Sequence, residues 1–278
     1  MHRIWLLLCL LCACSALPGP EERQQSATAL ALNAGWTGID LPAGDFRLRA
    51  FVPQRAVRTA TLTVYIEGDG LAWVNRSTPA FDPTPANPMA LKLALLDDQP
   101  AAYLARPCQY AASPGRQPCE RRYWTSHRFA PEVISSSNAA IDQLKARFAA
   151  DALILVGYSG GGAIALLAAA SRTDVARVIT VAGNLDHAIW SATENISPLG
   201  GSLNPADFAA ELGATPQTHL VGGRDRTVPE YVARSYASRS GPASRVEIIV
   251  IPEFDHHCCW TQRWRELKQR ALLPQAGS

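Results

Sequence analysis

Dense clusters of basic residues, internal repeats and long polar tracts are all missing from this sequence of 278 residues. The formal net charge is only +2 and the Lys and Arg residues are spread along the chain, so nothing favours a nucleic-acid partner. Charged residues make up 18% and hydrophobic residues 47%, which is typical of a folded globular chain rather than a disordered one. The length suffices for one large domain with a sizeable core.

The phosphate-binding motifs Gly-x-x-x-x-Gly-Lys-Ser/Thr and Gly-x-Gly-x-x-Gly are also missing, which argues against nucleotide or dinucleotide binding. The run from His256 to Cys259 could suggest a metal site. Consecutive side chains diverge, however, and no second pair follows at zinc-site spacing. We therefore expect neither a metal nor a cofactor.

The N-terminus has the layout of a secretory signal. A short basic start, residues 1–3, precedes an apolar run at 4–11 that is too short to span a bilayer. Residues 11–14 resemble a bacterial lipobox, in which Cys14 would be lipidated and become the mature N-terminus, although Cys12 departs from the usual pattern. Ser15, which is not Asp, would then favour the outer membrane. The alternative is ordinary cleavage after Ala13 or Ala16, which would give a periplasmic or secreted protein.

Export affects how the cysteines are interpreted. Three of the seven fall in the signal, and the remaining four allow three disulfide connectivities in an oxidising compartment. The simplest pairs Cys108 with Cys119 and leaves Cys258 and Cys259 either bonded to each other or free.

Short apolar strands alternate with helical segments along the rest of the chain. Residues 46–52 alternate apolar and polar side chains as a half-exposed edge strand does, and a β-branched strand follows at 61–66. This alternation predicts an α/β fold with a mostly parallel sheet and helices on both faces. We expect a signal peptide at 1–14, a tether or short N-terminal segment at 15–44 and one domain at 45–278, with loop insertions near 71–88, 107–131 and 185–215.

The segment Gly157-Tyr158-Ser159-Gly160-Gly161 stands between a buried strand and a buried helix. A Gly-x-Ser-x-Gly sequence in this setting is typical of a sharp turn that presents a nucleophilic serine at the end of a sheet. A serine needs a base, and the base needs a third group to orient it. Among the histidines only His256 and His257 follow a late strand directly, and Asp225 follows the strand before it.

These motifs together resemble the α/β-hydrolase superfamily over about residues 45–272. The resemblance rests on the serine turn, on Gly222-x-x-Asp225-x-x-Val228-Pro229 and on Pro252-x-x-Asp-His256, in the chain order Ser, Asp, His. It implies Ser159 as nucleophile, His256 as base ahead of His257, and Asp225 as the acid that orients the base. Within the superfamily, the adjacent cysteine pair after the histidine resembles a group of exported bacterial hydrolases.

The resemblance also implies an oxyanion hole built from the backbone N–H groups of Gly160 and Asp69. The usual His-Gly-x sequence is replaced here by Glu67-Gly68-Asp69. A carboxylate near a developing oxyanion is unfavourable unless it points away or is paired with a cation.

The expected activity is hydrolysis of a small-molecule carboxylic ester through an acyl-enzyme on Ser159, by a protein exported to the cell envelope and anchored to the membrane if Cys14 is lipidated. A catalytically weak or inactive scaffold that acts as a binding or structural lipoprotein is the alternative, because fold does not guarantee chemistry. Acyl transfer or peptide cleavage by the same three residues is a further possibility.

Overall fold

The computed structural model describes residues 17–111, 119–213, 215–242 and 244–273. The predicted signal peptide and the lipidation candidate Cys14 lie outside these ranges.

Eight strands and seven α-helices alternate along the described chain. The strands are β1 (Trp36–Ala43), β2 (Phe46–Pro53), β3 (Thr61–Ile66), β4 (Ala101–Leu104), β5 (Ala152–Tyr158), β6 (Val175–Val181), β7 (Gln217–Gly222) and β8 (Val246–Ile251). The helices are α1 (Pro20–Asn33), α2 (Met89–Leu95), α3 (Pro131–Arg147), α4 (Gly160–Ala170), α5 (His187–Thr193), α6 (Glu230–Arg239) and α7 (Trp260–Leu272). No helix within the described ranges is long and apolar enough to cross a membrane.

The strands form one sheet in the order β1-β2-β4-β3-β5-β6-β7-β8. From β4 to β8 all neighbours are parallel, whereas β2 runs antiparallel to both β1 and β4. The predicted mostly parallel sheet is therefore confirmed. All the parallel strands end at one edge, so the turns that follow β3, β5, β7 and β8 are brought close together there.

The first strand of the sheet falls inside the segment that sequence analysis assigned to a tether or short N-terminal segment. This segment holds α1 and the edge strand β1, and the strand was missed because Gly38 and Pro42 weaken its pattern while remaining compatible with an edge position. The prediction of residues 46–52 as an edge strand is wrong, because β1 lies beside β2 and takes the edge position. With β1 beside it, β2 lies inside the sheet and most of its side chains are buried.

Two apolar cores cover the two faces of the sheet. In β3, Leu62 and Val64 pack into one core while Tyr65 packs into the other, as the alternation of side chains along a strand requires. Helices α3 and α4 contribute to the first core, and α1, α2 and α7 to the second. Burial on both faces explains why β5 is a continuous apolar run rather than an alternating one.

Both cysteine pairs form disulfides. Cys108 is bonded to Cys119 within the 107–131 loop, and the Cα atoms of the two residues lie 5.4 Å apart. Cys258 is bonded to its neighbour Cys259, two residues after His256. Of the two possibilities for this second pair, the structure has the bonded one.

Candidate active site

The turn between β5 and α4 holds Ser159 in a backbone conformation that few side-chain-bearing residues adopt. Its φ is +51° and its ψ is −121°, in the region of positive φ that is costly for a residue with a Cβ. The flanking glycines allow this turn to be tight. A Cβ on Gly157 would overlap the carbonyl oxygen of Gly161, and a Cβ on Gly161 would overlap that of Ile66. The turn therefore requires glycine at both positions.

Ser159 belongs to one chain of hydrogen bonds with His256 and Asp225. The Oγ of Ser159 lies 3.1 Å from Nε2 of His256, and Nδ1 of the same ring lies 2.7 Å from Oδ2 of Asp225. Each side chain comes from a different turn at the carboxyl edge of the sheet: Ser159 follows β5, Asp225 follows β7 and His256 follows β8. A serine, an imidazole and a buried carboxylate in this sequence can move a proton off the hydroxyl and stabilise the imidazolium that forms.

The carboxylate of Asp225 is held by the loop that carries it. Its Oδ1 accepts the backbone N–H groups of Thr227 and Val228, each at 2.8 Å, which leaves Oδ2 for the imidazole. The side chain of Asp225 is fully buried. These contacts fix both the position of the carboxylate and the oxygen that it turns toward His256.

Hydrogen bonds fix the loop after β8 that carries His256. The carbonyl oxygen of His256 accepts hydrogen bonds from the Tyr158 hydroxyl at 3.0 Å and from Nε1 of Trp260 at 3.1 Å. His257 is exposed and its Nδ1 contacts the Tyr158 hydroxyl rather than Ser159. Asp255 accepts two backbone N–H groups within this loop, at 2.7 Å each. The geometry thus brings His256, and not His257, to the serine.

The carboxylate of Asp69 lies against Gly160 and is paired with two arginines. Oδ1 accepts from Nη1 of Arg106 at 3.1 Å and Oδ2 accepts from Nη1 of Arg128 at 2.5 Å. Burial on its own would raise the pKa of Asp69, but the charges of Arg128 and Arg106 outweigh burial and lower that pKa. Asp69 is therefore ionised near the site and electrostatically compensated.

The two residues predicted to supply the oxyanion hole, Gly160 and Asp69, lie against each other. Gly160 begins α4 directly after Ser159, and its Cα is so close to Asp69 that a Cβ would overlap Oδ1. In the part of the chain that the structure describes, neither the Gly160 N–H nor the Asp69 N–H donates to a protein acceptor. Both donors remain available for an oxyanion.

Glu67 is a second carboxyl group at the site. It is fully buried at the end of β3, and its Oε1 accepts the backbone N–H groups of Gly68 at 2.9 Å and Ala90 at 3.3 Å. Burial raises the pKa of Glu67 to about 7. The hydrogen bonds join the loop after β3 to the first turn of α2, which positions the backbone of Gly68 and Asp69.

A cavity of about 410 Å³ opens over Ser159. Each predicted loop insertion contributes to its wall: Trp73 from 71–88, Arg128 from 107–131 and Trp190 from 185–215. Asn184 lies in the same wall and donates its backbone N–H to the carbonyl oxygen of Ser159 at 3.1 Å. A small organic molecule fits a space of this size.

Sequence reasoning missed Arg106 and Arg128. The need to pair a carboxylate at position 69 was a signal that a cation lies nearby, but the two arginines are 37 and 59 residues away along the chain. Only folding shows which of the many arginines meet Asp69.

The other histidines lie apart from the serine. His219 is buried in β7, as its strand position predicted, and burial lowers its pKa to about 3. His127 bonds the hydroxyl of Ser126, and His187 contacts the carbonyl oxygen of Leu203. Within the described ranges, no group of three or more His, Cys, Asp and Glu side chains is arranged to hold a metal ion.

Comparison with known proteins finds likeness in structure and not in sequence. No family model matches the chain and no curated protein matches it. An esterase of Pyrococcus furiosus superposes with a TM-score of 0.62 at 12% identity, over 92% of this chain and 94% of that one. The α/β hydrolase GrgF of a Penicillium species superposes with a TM-score of 0.59 at 13% identity, over 85% and 96%.

This chain has the α/β-hydrolase fold. An acylaminoacyl peptidase of Pyrococcus horikoshii is also similar, with a TM-score of 0.61 at 11% identity over 87% of this chain but only 42% of the peptidase. The predicted fold is confirmed by these superpositions and by the sheet. At such identities the likeness establishes the fold, and the chemistry must be argued from the site.

Proposed function

We propose that the protein is a serine hydrolase that cleaves carboxylic esters through an acyl-enzyme on Ser159. The observation that carries the proposal is the hydrogen-bond sequence from Ser159 Oγ through the His256 ring to Asp225. It supplies the nucleophile, the base and the orienting carboxylate that acyl transfer needs.

In the first half of the reaction, Nε2 of His256 takes the hydroxyl proton as Ser159 Oγ attacks the ester carbonyl. The carbonyl oxygen becomes an oxyanion and is stabilised by the N–H groups of Gly160 and Asp69, each of which contributes about 3 kcal/mol to lowering the barrier. Asp225 holds the imidazole with Nδ1–H turned toward it and stabilises its positive charge. The imidazolium then protonates the departing alkoxide, and the acyl group stays on Ser159.

In the second half, His256 removes a proton from water and the hydroxide attacks the acyl-serine carbonyl. A second tetrahedral intermediate forms in the same oxyanion site. Its collapse breaks the bond to Ser159, returns the proton to the serine oxygen and releases the carboxylic acid.

The pairing of Asp69 supports an active site rather than an inactive scaffold. An unpaired carboxylate beside the oxyanion position would oppose the developing charge. Here two guanidinium groups, those of Arg106 and Arg128, surround it. The three residues together carry no net negative charge, so the Asp69 carboxylate is compensated beside the oxyanion position.

Labelling with a fluorophosphonate tests the nucleophile. We expect the folded protein to be labelled at Ser159, with labelling lost in Ser159→Ala and unchanged in Ser77→Ala, which alters an exposed serine in the 71–88 loop. Mass mapping of the labelled peptide identifies the site. Labelling at equal rates in wild type and Ser159→Ala would contradict the proposal.

A substrate panel tests the bond that is cleaved. Matched acyl esters, thioesters and anilides should be compared with wild type and Ser159→Ala, and we expect esters to have the highest kcat/KM. Faster cleavage of anilides would instead favour peptidase chemistry, for which the structural likeness to an acylaminoacyl peptidase is the supporting observation.

We further propose that the protein is exported and lipidated at Cys14, because residues 1–14 have a lipoprotein signal layout. The disulfide between Cys108 and Cys119 fits an oxidising compartment. Expression of the full chain in a Gram-negative host with labelled palmitate should give a labelled protein in the outer-membrane fraction. Cys14→Ser should lose the label, and equal labelling of the variant would refute lipidation.

A further inference from the structure

The Arg128 side chain is buried in the wall of the active-site cavity, and one of its guanidinium nitrogens has no acceptor among the described residues. Its side chain is 6% exposed and lines the cavity over Ser159. Nε donates to the carbonyl oxygen of Thr125 at 2.8 Å, and Nη1 donates to Asp69. Its remaining nitrogen, Nη2, donates to no residue that the structure describes. Nη2 is not among the fully buried atoms, so it is accessible from the cavity, where a ligand can supply the acceptor that the protein does not.

The charges beside this edge do not cancel. Arg106 and Arg128 share the single carboxylate of Asp69, which leaves one formal positive charge on the three residues and on the site as long as Glu67, the other carboxyl group there, is protonated. Both terminal nitrogens of Arg106 donate within the protein, one to Asp69 and the other to the carbonyl oxygen of Arg128, and its side chain does not line the cavity over Ser159. The uncompensated charge is therefore presented to the cavity by Arg128.

Arg128 also stands where the catalytic cavity meets a second one. A neighbouring space of about 560 Å³ shares Trp73, Arg128 and Trp190 with the cavity over Ser159. Arg76 lines this second space and is exposed. Its one acidic wall residue, Glu194, accepts a hydrogen bond from the Tyr231 hydroxyl, and no ion pair joins it to Arg76 or Arg128 within the described ranges. A substrate reaching outward from Ser159 thus passes one buried and one exposed guanidinium.

We propose that Arg128 binds an anionic oxygen group of the substrate, so that the preferred esters carry a carboxylate or an equivalent anion near the scissile bond. The inference rests on the proposed esterase function and specifies its substrate class. Guanidinium groups bind such anions through paired N–H donors, and a site removed from bulk water strengthens the interaction. A neutral ester would leave the Nη2 edge unpaired in the cavity.

The test compares two p-nitrophenyl esters that differ only in charge. One is the p-nitrophenyl monoester of glutaric acid, and the other is the same compound with its free carboxylate converted to a methyl ester. In the wild-type protein we expect kcat/KM to be about 10- to 100-fold higher for the anionic ester, the range that corresponds to a charged hydrogen bond. Arg128→Met should abolish this ratio mainly by raising KM for the anionic ester, and Arg128→Lys should retain part of it.

The ratio of kcat/KM for the anionic ester to kcat/KM for the neutral ester distinguishes binding of the substrate anion by Arg128 from its structural role in holding Asp69. Arg128 also holds Asp69 near the oxyanion position, so its loss can lower kcat for both esters, but such damage cancels in the ratio. Arg265→Met removes an exposed positive charge on α7, away from the cavity, and should leave the ratio unchanged. An unchanged ratio in Arg128→Met, or a wild-type preference for the neutral ester, would overturn the proposal.

A measurement on the wild-type protein covers the case in which Arg128 variants do not fold. Glutarate should slow fluorophosphonate labelling of Ser159 several-fold relative to sodium chloride of equal ionic strength, and pentanamide should not. Equal rates would overturn the anion site while leaving the esterase proposal intact. Absence of both labelling and hydrolysis of either ester would overturn both proposals.

Discussion

Glu67 is a buried carboxyl group that exchanges a proton in the neutral pH range. Burial raises its pKa from 4.5 to about 7, so between these values the folded protein binds a proton that the unfolded chain has released. The contribution of Glu67 to the free energy of unfolding should therefore be greatest below about pH 4.5 and should fall by about 3 kcal/mol as the pH rises through about 7.

Substitution of Glu67 by Gln tests this pH dependence. Gln retains an oxygen that can accept the N–H groups of Gly68 and Ala90, but it does not titrate. Urea denaturation at pH 5 and pH 8 should show a smaller loss of stability in Glu67→Gln than in wild type. Glu211→Gln, on an exposed turn, should follow the wild-type profile. Identical pH dependence in wild type and Glu67→Gln would contradict the assignment.

Some residues of the site could be predicted from the sequence and others could not. Ser159, Asp225 and the pair His256 and His257 could be chosen because each follows a strand and parallel strands end at one edge of a sheet, and the resemblance to α/β hydrolases favoured His256. Arg128 could not be chosen, because it comes from a loop whose path the local sequence does not specify. A side chain in a long loop is located by what it packs against after folding.

The turn between β5 and α4 depends on close approach of three backbone segments. Replacement of Gly157 by Ala would place a methyl group on the carbonyl oxygen of Gly161, inside a rigid and buried turn. We expect Gly157→Ala to lose about 1–3 kcal/mol of unfolding free energy, as overpacked positions do, and to lose esterase activity through displacement of Ser159.

Gly200→Ala is the matched control for this element. A Cβ at position 200 would meet no atom within 4 Å, so its stability and activity should equal those of wild type. Denaturant titration and the p-nitrophenyl ester assay measure both variants. Wild-type stability and activity in Gly157→Ala would show that the turn tolerates a side chain and would contradict the packing argument.

Interior strands such as β3 and β5 were predicted, whereas the edge strand β1 was missed. The central strand β5 is apolar along its length and β3 is rich in β-branched residues, because both faces of these strands are covered. Strand β1 carries Gly and Pro and lies at the edge, so its local pattern is that of a loop. Its pairing with β2 stabilises it, and pairing is a property of two segments together.

For the molecule as a whole, the two disulfides should contribute unequally to stability. Cys108 and Cys119 are 11 residues apart in sequence, and closing a loop of that size lowers the entropy of the unfolded chain. Replacing both by Ser should lower the free energy of unfolding by about 3 kcal/mol. Chemical denaturation of the oxidised wild type and the double variant measures the difference.

The adjacent pair provides the comparison. Cys258 and Cys259 enclose no loop beyond their own peptide link, so the double variant to Ser should lose far less stability through chain entropy. Equal losses in the two double variants would contradict the loop-closure account. Reduction of the wild-type protein should reproduce the larger of the two losses.

The sequence by itself determined the fold class, the order of most strands and helices, and the three residues that form the hydrogen-bond chain at Ser159. These follow from local patterns, because apolar periodicity, strained glycine-flanked turns and positions after strands are encoded in short segments. Tertiary structure alone decided the place of β1 in the sheet, the pairing of Asp69 with Arg106 and Arg128, and the open edge of Arg128 in the cavity. These features depend on contacts between distant segments, whose partners are set by the packing of the whole chain.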